Sequence, residues 1–165
     1  MTRILGVDPG MRTTGYGVID ADARGPRLVE AGVIRPDAAA PIERRLAELH
    51  AALVEIVRGL RPDCMVVEEL WSSYRNPSTA VLMAHARGVL CLAAGESGVA
   101  LRPLAHTVVK RALVGNGAAS KEQVKKMVAR RLGLRSFPHP DDVSDALALA
   151  IAYAQRDGCQ HNGRG

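Results

Sequence analysis

Aromatic side chains are nearly missing: one Trp, one Phe and three Tyr in 165 residues. Since 47% of the residues are hydrophobic all the same, the core has to be assembled from Ala, Val, Leu and Ile. Any aromatic in a polar stretch then needs a separate reason. Cysteine is equally thin. Cys64, Cys91 and Cys159 lie far apart with no ligand-type spacing, which argues against a disulfide framework or a zinc site. A reducing, cytoplasmic setting is expected. Long apolar runs are lacking too. Residues 1–10 offer only Ile4, Leu5 and Val7, too few for a secretory signal, and no stretch is expected to span a membrane. The five His fall in no motif, and no Ser–His pairing for covalent hydrolysis stands out.

What is present suits one domain, residues 1–154, with a proper core and a polar tail over 155–165 that is expected to be flexible. The net charge of +5 and the pI of about 9.5 permit a nucleic-acid partner. The distribution is more telling than the total. From Arg102 to Arg135 there are nine basic residues and one acid, Glu122, so a basic third is joined to a mildly acidic remainder. Lys125, Lys126, Arg130 and Arg131 read one by one as a solvated helix face and together as a track for phosphates.

Along the chain, Ile4-Leu5-Gly6-Val7 is a short strand ending in the turn signal Asp8-Pro9-Gly10. Residues 16–19 and 28–34 predict two more strands of a meander. Leu46, Leu49, Leu53, Ile56, Val57 and Leu60 recur at helical spacing over 41–60. Cys64-Met65-Val66-Val67 predicts a buried strand ending at Glu68. A second helix is expected over 78–96, with small residues (Ala80, Ala84, Gly88, Cys91, Gly95) along a face suited to the sheet or to a second copy of the chain. A fifth strand over 99–104 and helices over 107–114, 120–132 and 141–154 complete the pattern, with Ser120 and Gln123 as a capping box. Three meander strands followed by helix, strand, helix and strand make an α/β mixed sheet. If the first and fourth strands are parallel neighbours, Asp8 and Glu68 sit together at the carboxyl ends, where open α/β sheets place ligands.

The last helix adds to this. Asp141 and Asp142 at its start could serve only to cap the helix and favour its dipole, which is the better reading of Asp141. Asp145 lies a turn deeper, directly before Ala146-Leu147-Ala148-Leu149-Ala150-Ile151, and shares a face with Asp142. Two such carboxylates about 4 Å apart repel by roughly 4 kcal/mol at an effective dielectric near 20. Divalent cations resolve that conflict, and oxygen-only ligands suit Mg²⁺ or Mn²⁺ rather than zinc. Two such ions clamp a phosphodiester for in-line attack by water.

Taken together, Ile4-Leu5-Gly6-Val7-Asp8-Pro9-Gly10, Thr14-Gly15-Tyr16-Gly17-Val18-Ile19, Val67-Glu68-Glu69 before an aromatic, Ala86-Arg87-Gly88, Val114-Gly115-Asn116-Gly117 with Lys121 shortly after, and Asp142-x-x-Asp145-Ala146-Leu147-Ala148 resemble the RuvC Holliday-junction resolvases in order and spacing. The resemblance runs from about residue 3 to 154. It implies a ribonuclease-H-like fold, with a five-stranded mixed sheet in the order 3-2-1-4-5 flanked by helices on both faces. It implies a homodimer that cuts four-way DNA junctions by paired symmetric nicks, leaving 5′-phosphate and 3′-hydroxyl ends, in recombination and repair. Asp8, Glu68, Asp142 and Asp145 would bind two Mg²⁺ or Mn²⁺ ions, and Asp141 stays open as an outer helper. Lys110 and Lys121 match basic positions near the scissile phosphate. Lys121 is also a cation in the first turn of a helix, unfavourable to the dipole unless an anion binds. Trp71 falls where the family stacks an aromatic on an unpaired base. Core burial is the ordinary fate of a Trp, but the polar loop Ser72-Ser73-Tyr74-Arg75-Asn76-Pro77 favours stacking, with Tyr74 and Arg75 beside it. A RuvA–RuvB branch-migration complex is the implied partner.

Three other readings are weaker. A sugar-kinase or actin-like ATPase shares Asp8-Pro9-Gly10 and Thr13-Thr14-Gly15 but needs two copies of the fold, and no repeat is present. A YqgF-type nuclease of ribosomal-RNA precursors shares the fold and the first Asp-Pro-Gly. The Asp142/Asp145 helix, the Trp71 loop and the small-residue helix favour the resolvase. A non-catalytic junction-binding module is opposed by the full carboxylate set.

Overall fold

Alternation of buried side chains along the first strand, β1 (Thr2–Asp8), sets the plan of the molecule. Ile4 faces one core while Leu5 and Val7 face another, so β1 has helices on both sides. The computed structural model describes residues 1–69 and 77–161. β2 (Thr14–Asp22) and β3 (Gly25–Ile34) continue antiparallel from β1, and β4 (Cys64–Glu68) and β5 (Ala100–Leu104) add parallel strands on its other side. The sheet order is β3-β2-β1-β4-β5, as expected.

One face is covered by α1 (Ile42–Leu60) and α2 (Pro77–Glu96). In α1, Leu49, Leu53 and Val57 of the expected apolar stripe are buried. The other face is covered by α3 (His106–Val114), α4 (Lys121–Leu132) and α5 (Asp141–His161). The capping box at the start of α4 forms as expected: Gln123 N–H donates to Ser120 Oγ, and Ser120 N–H donates to Gln123 Oε1 at 2.8 Å.

Several elements differ from expectation: β1 and β3 run longer than their apolar residues, as Thr2–Asp8 and Gly25–Ile34, and three further differences stand out. β2 is nine residues long rather than four, because it pairs with β1 over the whole length of that strand, from Thr2↔Ala21 to Asp8↔Gly15. Backbone pairing, not apolar content, sets its ends. α5 continues to His161, into the segment expected to be a flexible tail. Ser78–Glu96, within α2, is long and apolar enough by length and composition to cross a membrane, contrary to expectation. Its apolar surface has two parts. Ala86, Leu90, Ala93 and Ala94 are buried in the core shared with α1. Ala84, Gly88, Cys91 and Gly95 are exposed, beside Val81 at 55% and Leu92 at 53% exposure. The small-residue face therefore points away from the sheet.

A carboxylate cavity at the strand ends

The pleat of two adjacent strands builds the site. In β1 the first core takes Ile4, and in β4 it takes Cys64 and Val66; the residues between face the other way. Extending that period of two puts Asp8 and Glu68 on the face covered by α3, α4 and α5. The parallel register Val7↔Val67 brings the two carboxylates side by side at the strand ends.

α5 reaches them because the strands beneath it carry no side chains where it crosses. A Cβ on Gly6 would lie 2.0 Å from the Ala146 carbonyl oxygen, and one on Gly15 would lie 2.1 Å from that of Asp142. A Cβ on Gly17 would lie 2.5 Å from a Leu147 methyl. Gly6 pairs with Gly17 and Asp8 with Gly15, so the glycines form a trough across β1 and β2. α5 sinks into it and is buried from Ala146 to Ala152. This seats Asp142 and Asp145 close to Asp8.

Asp8, Glu68 and Asp145 line a cavity of about 170 Å³, together with Lys110, Lys121, His106 and the apolar Val109, Val124, Ala148 and Leu149. Asp142 is not among the lining residues, yet its charge acts on Asp8. Burial pushes the Asp8 carboxyl up to about 7, and the negative charges of Asp145, Asp142 and Glu68 push in the same direction, with Lys121 opposing. Lys121 Nζ lies 2.9 Å from Asp145 Oδ2 and 3.6 Å from Asp141 Oδ2. That hydrogen bond and the charges of Asp145, Asp141 and Asp8 hold the Lys121 ammonium above its ordinary range, against the opposing effect of burial. Lys125 pairs with Asp141, which lowers the Asp141 carboxyl. Lys110 is half-buried at the cavity wall.

Of the sequence-predicted residues, Asp8, Glu68, Asp145, Lys110 and Lys121 thus come together, with Asp142 adjacent and Lys125 one ion pair away on Asp141. Trp71, Tyr74 and Arg75 lie outside the described residues. Among the described residues no three His, Cys, Asp or Glu side chains already form a cluster able to hold a metal. The donor set nonetheless fits a hard divalent cation. It is built of carboxylate oxygens, with Asp8 raised by burial first and by its acidic neighbours second, and a lysine ammonium already answers the need for positive charge at Asp145.

Two groups of residues around the site were not anticipated. His106 Nδ1 lies 2.9 Å from Glu68 Oε1. Arg87 of α2 donates to the Glu68 carbonyl, and Arg45 of α1 donates to the Met11 carbonyl in the loop after Asp8. The helices on the far face thereby brace both strand ends. The motif Ala86-Arg87-Gly88 flagged Arg87 without its role, whereas His106 and Arg45 carry no local signal.

This sheet order, with an acidic cavity at the ends of its first and fourth strands, defines a ribonuclease-H-like fold. The family model described as crossover junction endodeoxyribonuclease RuvC matches residues 4–153, and the chain belongs to that family. The RuvC protein of Rhodopirellula baltica is 46% identical over 150 residues, covering 90% of this chain and 83% of that one. The RuvC protein of Desulforamulus reducens is 41% identical over 152 residues, covering 92% and 93%. A solved structure of T. thermophilus RuvC in complex with Holliday junction substrate aligns with a TM-score of 0.91 at 34% identity, over 97% of each chain.

Proposed function

We propose that this chain is a structure-selective endonuclease that resolves four-way DNA junctions by hydrolysing one phosphodiester in each of two symmetry-related strands. One observation carries the reading most of the way: Asp8, Glu68 and Asp145 converge in one cavity whose wall also holds Lys110 and Lys121. Acid to hold cations and base to hold phosphate meet there at the scale of one phosphodiester. Membership of the RuvC family gives that chemistry its substrate, and the relative solved with a Holliday junction supports it.

Asp8, Glu68, Asp142 and Asp145 would hold two Mg²⁺ or Mn²⁺ ions. When bound, these ions supply the Lewis acidity for in-line attack of water on the phosphorus and for departure of the 3′ oxygen. The chain's own groups do the rest. Lys121 exchanges its contact with Asp145 for a phosphate oxygen, and Lys110 offers a second positive charge at the cavity wall. The apolar side of the cavity, formed by Val109, Val124, Ala148 and Leu149, limits water around the reacting phosphate. Trp71, Tyr74 and Arg75 belong to the same reading as base-stacking and phosphate contacts, and Lys125 as a phosphate contact near Asp141.

The working form is a homodimer, supported by the exposed small-residue face of α2 with Val81 and Leu92 along it. Two sites in one dimer account for paired cuts. The setting is cytoplasmic, and a RuvA–RuvB branch-migration complex is the partner that family membership leads us to expect. The direct test is Asp8→Asn. Cleavage of a four-way junction is expected to fall by at least about 1,000-fold while junction affinity stays within a few-fold, because a charge needed for the reaction is removed and the phosphate contacts remain. Full activity of the variant would overturn the carboxylate assignment.

A further inference from the structure

Among the described histidines, His106 is the one that lines the cavity. Its place follows from the sheet. Glu68 is paired with Leu104 across β4 and β5, and Glu69 N–H donates to the Leu104 carbonyl at 3.0 Å, so the chain leaves β5 beside Glu68. One residue later Ala105 caps α3, and His106 opens the helix. Nδ1 then lies 2.9 Å from Glu68 Oε1. The ring is more than half exposed, at 59%, and the Glu68 side chain is 38% exposed, so neither burial nor core packing explains the contact. A solvated His has little reason to hold a surface Glu in one geometry, since such exposed pairs gain little over their lost side-chain freedom. At the wall of a cavity that it shares with Asp8 and Asp145, a fixed Glu68 does have a use.

We propose that His106 is a positioning residue for Glu68: its imidazole, in close contact with Oε1, holds the carboxylate at the cavity wall that Glu68 shares with Asp8 and Asp145. The role rests on the nuclease reading given above, and it adds to the family's four carboxylates an imidazole that orients one of them. Outer partners of ligand side chains commonly govern affinity and turnover by 10–100-fold.

The test compares His106→Ala, His106→Asn and Glu68→Gln with the combined His106→Ala/Glu68→Gln variant. Asn places an amide N–H where the imidazole Nδ1 was. Two quantities are read: Mn²⁺ affinity of the free protein by calorimetry, and single-turnover cleavage of a four-way junction with junction affinity measured in parallel. His106→Ala is expected to lower Mn²⁺ affinity and the cleavage rate each by about 10-fold or more, leaving junction affinity unchanged, and His106→Asn is expected to recover most of both. In the Glu68→Gln background, removing His106 is expected to cost nothing further in Mn²⁺ affinity. Equal losses in both backgrounds would overturn the proposal, as would unchanged Mn²⁺ affinity in His106→Ala. A fall in junction affinity alone would also overturn it, making His106 a DNA contact. If the unaltered protein cuts no junction at all, the resolvase reading fails, and the Mn²⁺ measurements still decide the role of His106.

Discussion

Keeping Asp8 ionised is costly in the absence of cations, and that cost is measurable. Its folded carboxyl is raised from 3.8 to about 7 by burial first and by Asp145, Asp142 and Glu68 second. Below pH 4 it is protonated in both the folded and the unfolded chain and costs nothing. Between pH 4 and 7 the unfolded chain ionises first, so stability falls as pH rises, and above 7 the full penalty is present. With chelator, Asp8→Asn is therefore expected to stabilise the protein at pH 8 by on the order of 2–4 kcal/mol and scarcely at all at pH 4, read from urea unfolding. Equal effects at both pH values would show that the penalty is not electrostatic. The placement of Asp8 and Glu68 at neighbouring strand ends was legible in the sequence because each closes a short apolar run and a helical crossover between the runs makes the strands parallel. His106, Arg45 and Arg87 were not, since each acts on a backbone or side chain distant in sequence. Arg45 makes the point most clearly: its Nε is buried without a hydrogen-bond partner among the described residues, an arrangement no local pattern announces.

Elements are positioned here by what glycine leaves out. Gly6, Gly15 and Gly17 stand in motifs that identify the family, yet their physical role emerges only when α5 is seen lying on them. Gly15→Ala would press a methyl group against the Asp142 carbonyl. It is expected to destabilise the protein by about 1–3 kcal/mol, and to lower cleavage more than that loss explains, because the start of α5 must move away from Asp8. Gly59→Ala is the control. It meets open space within α1 and is expected to be neutral or stabilising by up to about 1 kcal/mol. Thermal unfolding of both variants with a junction-cleavage assay checks this, and an unperturbed Gly15→Ala would remove the trough from the account. The helices and the strand order matched their patterns well. The ends of β2 and α5 did not, since ladder pairing and continued helical bonding carried both beyond their apolar residues.

At the scale of the molecule, the two faces of α2 divide the work. One packs into the core with α1, and the other exposes Gly88 and Gly95 with Val81 and Leu92, the surface that the proposed homodimer would use. Close helix approach over small residues is expected to give a dimer at micromolar concentration. A Cβ at Gly88 meets nothing within 4 Å among the described residues, and Gly88→Arg is expected to weaken dimerisation by about 100-fold without loss of helix content. Sedimentation equilibrium decides, and an unaltered dimer in that variant would place the interface elsewhere. The sequence left this face open between sheet and partner because small residues serve close packing of either kind. Junction cleavage is tested most directly with a synthetic four-way junction, end-labelled on each strand in turn, incubated with Mg²⁺, with Mn²⁺ or with chelator, beside a linear duplex and a structured RNA of the same length. Paired nicks at symmetry-related positions near the crossover, lost with chelator and absent from the duplex and RNA, are the predicted result. Cleavage of the RNA alone, or cutting of the junction that persists in chelator, would contradict it.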